Sequence, residues 1–153
     1  MWHTVAVVAG LAAFPLVLLV LPAALVLGAK RRRLRRRHSA PDPVIRVVGG
    51  WSEVLDAARD HGRPPPPLAT RREIALALAG DTGARVAPEE PAVWLALADR
   101  TDEAVFGARP PDDAAVDAYW ADVATTVAAL DHGMSRWRRL RARLSLSSLR
   151  RAR

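Results

Sequence analysis

The sequence predicts an all-α protein: one N-terminal transmembrane helix, a small cytosolic domain of three to four helices, and a basic C-terminal helix. Three observations lead to this prediction. A long apolar run without charges comes first, apolar residues later recur at spacings of three and four, and no segment alternates as strands do. The 153 residues include no cysteine, which excludes disulfides, cysteine zinc sites and thiol nucleophiles.

The predicted transmembrane helix comprises residues 5–29, which are 25 residues without a charge. As a helix this stretch is about 37 Å long, enough to cross a hydrocarbon core of about 30 Å. Residues 1–4 lack the positive charge that precedes the apolar core of a signal peptide, and that core is typically only about 7 to 15 residues long. The basic run after residue 29 predicts that residues 1–4 are extracytoplasmic and that residues 30–153 lie in the cytosol, beneath a bacterial plasma membrane.

Charge divides the chain into three unlike parts. The predicted juxtamembrane linker (30–41) has seven cations and the predicted tail helix (134–153) has eight, and neither contains an acid. All sixteen acids lie in the predicted helical domain (42–133) with only eight arginines, so that domain carries a net charge of −8. We expect the basic segments to contact anionic phospholipids of the inner leaflet. The residues expected to do so are Lys30, Arg31, Arg32, Arg33, Arg35, Arg36, Arg37, Arg136, Arg138, Arg139, Arg141 and Arg143.

The first cytosolic helix is predicted to begin where Asp42 precedes Pro43, a pair typical of an N-cap and a first helical residue. Gly49 and Gly50 lie inside this helix and lower its propensity by about 1 kcal/mol each. They indicate either a close helix contact or a break, so a helix that begins near Gly50 is the alternative. The proline-rich spacer at residues 63–67 is predicted to be extended.

Three more helices are predicted in the acidic domain. Thr70 and Glu73 form a capping box before a short helix that ends at Gly80. The next helix begins after Pro88 or Pro91. The last of the three opens at residues 112–113 and ends at residue 133, where an acid pair and a glycine provide the start and stop.

Each predicted cytosolic helix except the short second one carries one tryptophan on its apolar stripe. We expect Trp51, Trp94, Trp120 and Trp137 to anchor a small core rather than to stack against a ligand. The predicted helical core consists of Trp51, Leu55, Trp94, Leu97, Val105, Trp120, Val123 and Val127.

The tail is predicted to be a basic helix from Ser135 to Arg153, with Trp137, Leu140 and Leu144 on one face. This pattern fits an interfacial helix on an anionic leaflet and fits equally well a helix docked on the acidic domain. Nucleic-acid binding is disfavoured because the sequence contains no recognised reading motif.

No part of the sequence predicts catalysis. The four histidines have no spacing suited to a metal, and no acid is placed to orient one of them as a base. The Gly49–Gly50 pair lacks the residues of a phosphate-binding loop. We therefore expect a protein that is not an enzyme and has no catalytic residue, metal or cofactor.

Several segments resemble the C-terminal part of actinobacterial transglutaminase-like membrane proteins. They are the predicted helix from Trp51 to Gly62, the spacer with residues 70–73, residues 104–107, and the arginine-rich segment that ends at Leu140. The resemblance implies a last spanning helix followed by a cytosolic helical module of unknown function. The enzymatic part of that family relies on cysteine, histidine and aspartate, so the resemblance implies no catalytic residue in a chain without cysteine.

The sequence thus predicts a non-enzymatic, single-pass membrane protein whose helical module anchors the chain or binds another membrane or cell-envelope protein. A stand-alone protein and a part of a split or truncated larger one are both compatible with this prediction. One alternative is an assembly subunit of a separately encoded transglutaminase-like enzyme. The other is a soluble, nucleic-acid-associated regulator whose apolar N-terminus is a mis-assigned start or a removed signal.

Overall fold

The computed structural model describes residues 2–80, 90–132 and 134–149, and within these ranges it describes the side chains of residues 20–80, 92–132 and 134–149. Within these ranges all regular secondary structure is helical and no strand is present, which confirms the predicted all-α class. The helices are α1 (Trp2–His38), α2 (Pro43–Asp60), α3 (Arg71–Gly80), α4 (Glu90–Phe106), α5 (Asp113–Ala129) and α6 (Arg136–Leu144).

α1 contains both the apolar run and the basic run. Among the residues that the structure describes, no helix is both long enough and apolar enough to cross a membrane. The predicted spanning segment at residues 5–29 falls largely on residues 5–19, whose side chains lie outside the described part. Residues 30–38, predicted as linker, continue α1 because lysine and arginine are good helix formers and no proline or glycine interrupts them.

α2 begins as its sequence predicts. The Asp42 carboxylate caps it, accepting hydrogen bonds from the backbone N–H groups of Val44 (2.7 Å) and Ile45 (3.4 Å), and Pro43 occupies the first turn. The helix then continues unbroken to Asp60. The alternative start near Gly50 is therefore wrong.

Gly49 and Gly50 mark close contacts between helices rather than a break. A Cβ atom at Gly49 would lie 2.9 Å from the Cβ of Arg37 in α1. A Cβ atom at Gly50 would lie 2.6 Å from Cε1 of Tyr119 in α5. Both approaches are closer than carbon atoms tolerate, so α2 can pack between α1 and α5 only because these two positions have no side chain.

We expect Gly50→Ala to lower the free energy of unfolding by about 1–2 kcal/mol, because the cost of overpacking exceeds the gain of about 1 kcal/mol in helix propensity. The Tyr119 ring is only 1% exposed and cannot move aside. Gly80→Ala is the matched control, because nothing lies within 4 Å of a Cβ atom there. Chemical denaturation of the full chain in detergent measures both variants. Equal stability of the two would contradict the close contact.

The starts of α3 and α5 are also determined by residues that are close in sequence. Thr70 and Glu73 form the predicted capping box: the Thr70 N–H donates to Glu73 Oε2 (2.8 Å) and the Glu73 N–H to Thr70 Oγ1 (3.3 Å). Hydrogen bonds from the Thr70 backbone and then its side chain lower the pKa of Glu73. Asp112 caps α5 by accepting from the N–H of Ala115 at 2.7 Å. α5 ends at Ala129, with Leu130 as its C-cap, which is earlier than the predicted end at residue 133; residue 133 itself lies outside the described residues.

The core lies where α2 packs against α4 and α5, with α3 covering α4 and the C-terminal half of α1 lying along α2. Predicted core residues Trp51, Trp94, Leu97, Trp120 and Val123 are buried there, and Leu55 and Val127 pack partly buried against them.

Two hydrophobic residues that the sequence places in the core lie elsewhere. Val105 is 37% exposed, and Ala104 is buried instead. Ala104 follows Thr101 by three positions and Leu97 by seven, so it continues the buried face of α4. Trp137 is 73% exposed, because the side of α6 that faces the protein is the one with Ala142.

A buried hydrogen-bonded pair joins α4 to α5. The Thr101 hydroxyl donates to the carbonyl of Leu97 (2.6 Å), which leaves its oxygen to accept from the Tyr119 hydroxyl at 2.8 Å. Burial raises the pKa of Tyr119 to about 12, although its bond to Thr101 acts in the opposite direction. The phenol therefore stays protonated at physiological pH, and both polar groups are satisfied inside the core.

Candidate functional site

The basic run of α1 meets an acidic face of α2. The cations of one α1 face and the acids of one α2 face have the same spacing of three and four residues, and the two helices pair them in antiparallel order. We call this set the charge ladder. Its members are Lys30, Arg33 and Arg37 on α1, and Glu53, Asp56 and Asp60 on α2.

The ion pairs of the charge ladder are short and partly buried. Arg37 lies 2.7 Å from Glu53 and 2.9 Å from Asp56, and Arg33 lies 3.2 Å from Asp56. The six side chains are between 8% and 23% exposed, which places them well below the exposure of ordinary surface pairs. Pairs in such a shielded network are less screened than isolated surface pairs, so the ladder holds α1 firmly along α2.

Asp60 is the centre of a junction at the end of the charge ladder, which we call the Asp60 junction. Its carboxylate accepts from Lys30 Nζ (2.7 Å), from the Ser147 hydroxyl (3.0 Å), and from both the hydroxyl (2.9 Å) and the N–H (3.2 Å) of Ser148. Burial acts to raise the pKa of Asp60, but the hydrogen bonds from Lys30, Ser148 and Ser147 outweigh it and leave the pKa below its ordinary value. A single carboxylate thus ties α1, α2 and the tail together.

Lys30 also fixes the tail helix. Its ammonium group donates to the carbonyls of Ala142 (3.2 Å) and Arg143 (3.0 Å) at the C-terminal end of α6. A cation at this position stabilises a helix, because the helix dipole is negative there. Ala142 is 4% exposed, so α6 docks on the protein through this small side chain. The sequence allowed the tail helix to lie on an anionic leaflet or on the acidic domain. The contact with the acidic domain is therefore present.

α6 is shorter than predicted, because it ends at Leu144 and Ser145 is its C-cap. The chain then turns so that Ser147 and Ser148 reach Asp60, and Arg33 donates to the carbonyl of Ser148 at 3.2 Å. Residues 150–153, which the sequence assigns to the same helix, lie outside the described residues.

The cations predicted to contact lipid fall into two groups. Lys30, Arg33 and Arg37 point to α2 and form ion pairs with its acidic side chains. The remaining ones on α1 and α6 have exposed side chains, and only Arg143 has an acid within 4 Å, Asp131 at 3.9 Å, in the described part of the chain. This exposed group comprises Arg31, Arg32, Arg35, Arg36, Arg136, Arg138, Arg139, Arg141 and Arg143.

An apolar groove of about 1120 Å³ lies between α1 and α5, with side chains of α2 as its floor. Leu27 and Leu34 form one wall, and Val127 and small alanines of α5 form the other. At one end the His38 and Trp120 rings meet with their centroids 4.9 Å apart. The indole N–H of Trp120 is buried and has no hydrogen-bond partner among the described residues.

His61 lies beside a carboxylate that the sequence analysis did not identify as its partner. Its Nε2 lies 2.9 Å from Asp131, and its Nδ1 lies 2.7 Å from the carbonyl of Ala57. The acid is 70 residues away in sequence, so only the packing of α2 beside α5 brings the two together. Within the described ranges no group of three or more histidine, aspartate or glutamate side chains is placed to hold a metal ion.

No protein-family model, no curated protein and no solved structure matches the chain.

Proposed function

We propose that this chain is a single-pass protein of the bacterial plasma membrane, with a cytosolic helical module that holds to the inner leaflet and binds a partner without catalysing a reaction. One observation supports this most. The uncharged run at residues 5–29 and the cations of the charge ladder belong to one helix, α1, without a break between them.

This continuity would give the module a fixed position. If residues 5–29 span the bilayer, Lys30 is the first charged residue at the cytosolic surface, and the Asp60 junction lies there with it. The charge ladder then holds the module against the part of α1 that leaves the membrane. An anchor built this way transmits position and orientation through helix packing, without a flexible linker.

The exposed arginines would supply the contact with lipid. Four of them, Arg31, Arg32, Arg35 and Arg36, lie on α1 within about two turns of residue 29. Each cation near an anionic leaflet contributes about 1 kcal/mol, and this attraction falls off within a Debye length of about 8–10 Å. The proximity of these residues to the proposed membrane surface therefore favours anionic phospholipid as the first partner.

We expect the full chain to stay in the membrane fraction after washes at high salt and at alkaline pH, because a spanning helix is held by apolar burial. Leu18→Arg combined with Leu19→Arg should move it to the soluble fraction, since each charge at the centre of a span costs about 2.5–3.5 kcal/mol. Leu18→Ile combined with Leu19→Ile is the matched control. Release of the unaltered chain by salt alone would exclude a spanning helix and favour the soluble, nucleic-acid-associated alternative.

The orientation of the chain in the membrane can be tested separately. A reporter that is active only in the cytosol, fused after Arg153, should be active, because the seven cations follow residue 29 and none precedes residue 5. A reporter that is active only outside the cytosol should be silent at the same position. The reverse pattern would contradict the proposed topology.

The partner that the resemblance favours is a separately encoded, transglutaminase-like enzyme of the cell envelope. A chain without cysteine cannot supply that enzyme's nucleophile, so the partner would have to supply it. A neighbouring gene for such an enzyme, and co-purification of the two proteins in detergent, are the expected results. A neighbourhood without one, together with purification of the chain alone, would contradict this choice of partner.

A further inference from the structure

α6 has two faces of opposite character. Ala142 on one face is buried against the end of the charge ladder. On the other face Trp137 is 73% exposed and Leu140 is 48% exposed. Large apolar side chains left in water on a docked helix indicate a second contact, and a contact with the chain's own acidic body is already made through Ala142.

Cations surround this apolar face. Residues 134–153 contain no acid, and Arg136, Arg138, Arg139 and Arg141 are exposed without an acid partner in the described part of the chain. A helix with a tryptophan and leucines on one side and arginines on the others is typical of helices that lie at an anionic membrane surface.

The docking of α6 also fixes its distance from the uncharged run. Lys30, the first residue after that run, donates to the last carbonyls of α6, and Arg33, one turn later, donates to the carbonyl of Ser148. The tail helix is therefore held at the level at which the proposed spanning segment ends. Its nine residues extend about 13 Å, so most of the helix can reach the headgroup region.

We propose that α6 is an in-plane anchor: Trp137 and Leu140 enter the anionic inner leaflet, while the Ala142 face stays docked on Lys30. This inference rests on the proposed membrane function and adds a second point of attachment to it. Nucleic acid fits the face less well, because phosphate contacts would leave the indole and the leucine in water. With two attachments, the module could not rotate freely beneath the membrane.

The absence of cysteine makes this proposal directly testable, because a single introduced cysteine is the only thiol in the protein. The full chain carrying Leu140→Cys is labelled with a polarity-sensitive fluorophore and reconstituted into vesicles. The expected result is a blue-shifted label in vesicles with phosphatidylglycerol and no shift in vesicles of phosphatidylcholine alone. Arg139→Cys on the same helix and Thr125→Cys on α5 are the controls, and both should report water in either vesicle.

Charge is tested separately from helix structure. Replacing Arg136, Arg138, Arg139 and Arg141 by glutamine should weaken the partitioning of the tail onto the anionic surface on the order of a hundredfold or more and abolish the shift. Replacing the same four by lysine should preserve it.

Three outcomes would overturn the proposal. They are a label at residue 140 that stays in water while the chain remains integral to the vesicle, an equal shift at residues 139 and 140, and a shift that appears with duplex DNA but not with phosphatidylglycerol. Failure of the chain to insert at all would instead contradict the proposed membrane function.

Discussion

Asp60→Asn is expected to release the tail helix and to lower the free energy of unfolding by about 2–4 kcal/mol. The carboxylate receives four hydrogen bonds, one of them from the ammonium group of Lys30. An asparagine carries no charge and offers only one acceptor oxygen. Lys30, which is 16% exposed in its side chain, would then remain as a largely buried cation without its counter-ion.

The loss of stability in Asp60→Asn should appear first in the tail and only then in the whole protein. Among the described residues, Asp60 holds the end of the tail through Ser147 and Ser148. The carbonyl of Arg59 adds one bond from the Ser147 hydroxyl, and the Arg33 side chain donates to the carbonyl of Ser148. Hydrogen exchange of the full chain in detergent micelles should therefore increase first in residues 136–149. Asp122→Asn is the matched control, because Asp122 is 53% exposed and its pair with Arg100 should contribute less than about 1 kcal/mol. Unchanged exchange in the tail of Asp60→Asn would contradict the role of the junction.

Acidic pH should loosen the tail of the unaltered chain in part as Asp60→Asn does. The pKa of Asp60 is lower in the folded protein than its ordinary value of 3.8, so the folded state binds the proton less well. The stability that comes from this group is then complete above about pH 4 and is lost as the pH falls through the folded pKa. The exchange of the tail amides, relative to their intrinsic rate at each pH, should rise below about pH 4 in the unaltered chain. Asp60→Asn should lack the part of that rise that belongs to this carboxyl.

The sequence predicted best what neighbouring residues determine. Asp42 caps α2 and Thr70 with Glu73 caps α3, because the atoms involved lie within three positions of each other. The two glycines of α2 were predicted as either a break or a close contact. Choosing between these needed the positions of Arg37 and Tyr119, which no local pattern contains.

The charge ladder was not predicted, although the sequence contains a trace of it. The basic run alone indicates a solvated linker that faces lipid. Its cations at positions 30, 33 and 37 share their spacing with the acids at positions 53, 56 and 60, and such matched spacing is what two antiparallel helices need in order to pair. A comparison of the two patterns would have indicated a helix through residues 30–37.

The tryptophans show that local sequence patterns do not predict which side chains are buried. The stripes of α4 and α6 look alike in sequence, yet Trp94 is 3% exposed and Trp137 is 73% exposed. Periodicity identifies the apolar face of a helix but not whether another element covers it. In α6 the covered face is the one with Ala142, because the Lys30 contacts fix the orientation of the helix.

This difference leads to the largest expected change in stability. Trp94→Ala should lower the free energy of unfolding by about 3–5 kcal/mol, because it removes a large buried side chain from the hydrophobic core and leaves a cavity there. Trp137→Ala removes the same atoms from an exposed position and should change the free energy of unfolding by less than about 0.5 kcal/mol.

Guanidinium denaturation of the full chain in detergent, followed by far-ultraviolet circular dichroism, measures both variants. If Trp137→Ala were the more destabilising in detergent, α6 would have to be covered by the protein itself. The in-plane anchor predicts an effect that depends on the environment. Trp137→Ala should leave the free energy of unfolding in detergent unchanged and should weaken attachment of the tail to vesicles that contain phosphatidylglycerol. Trp94→Ala should act in both settings, because the core that it disrupts is the same in each.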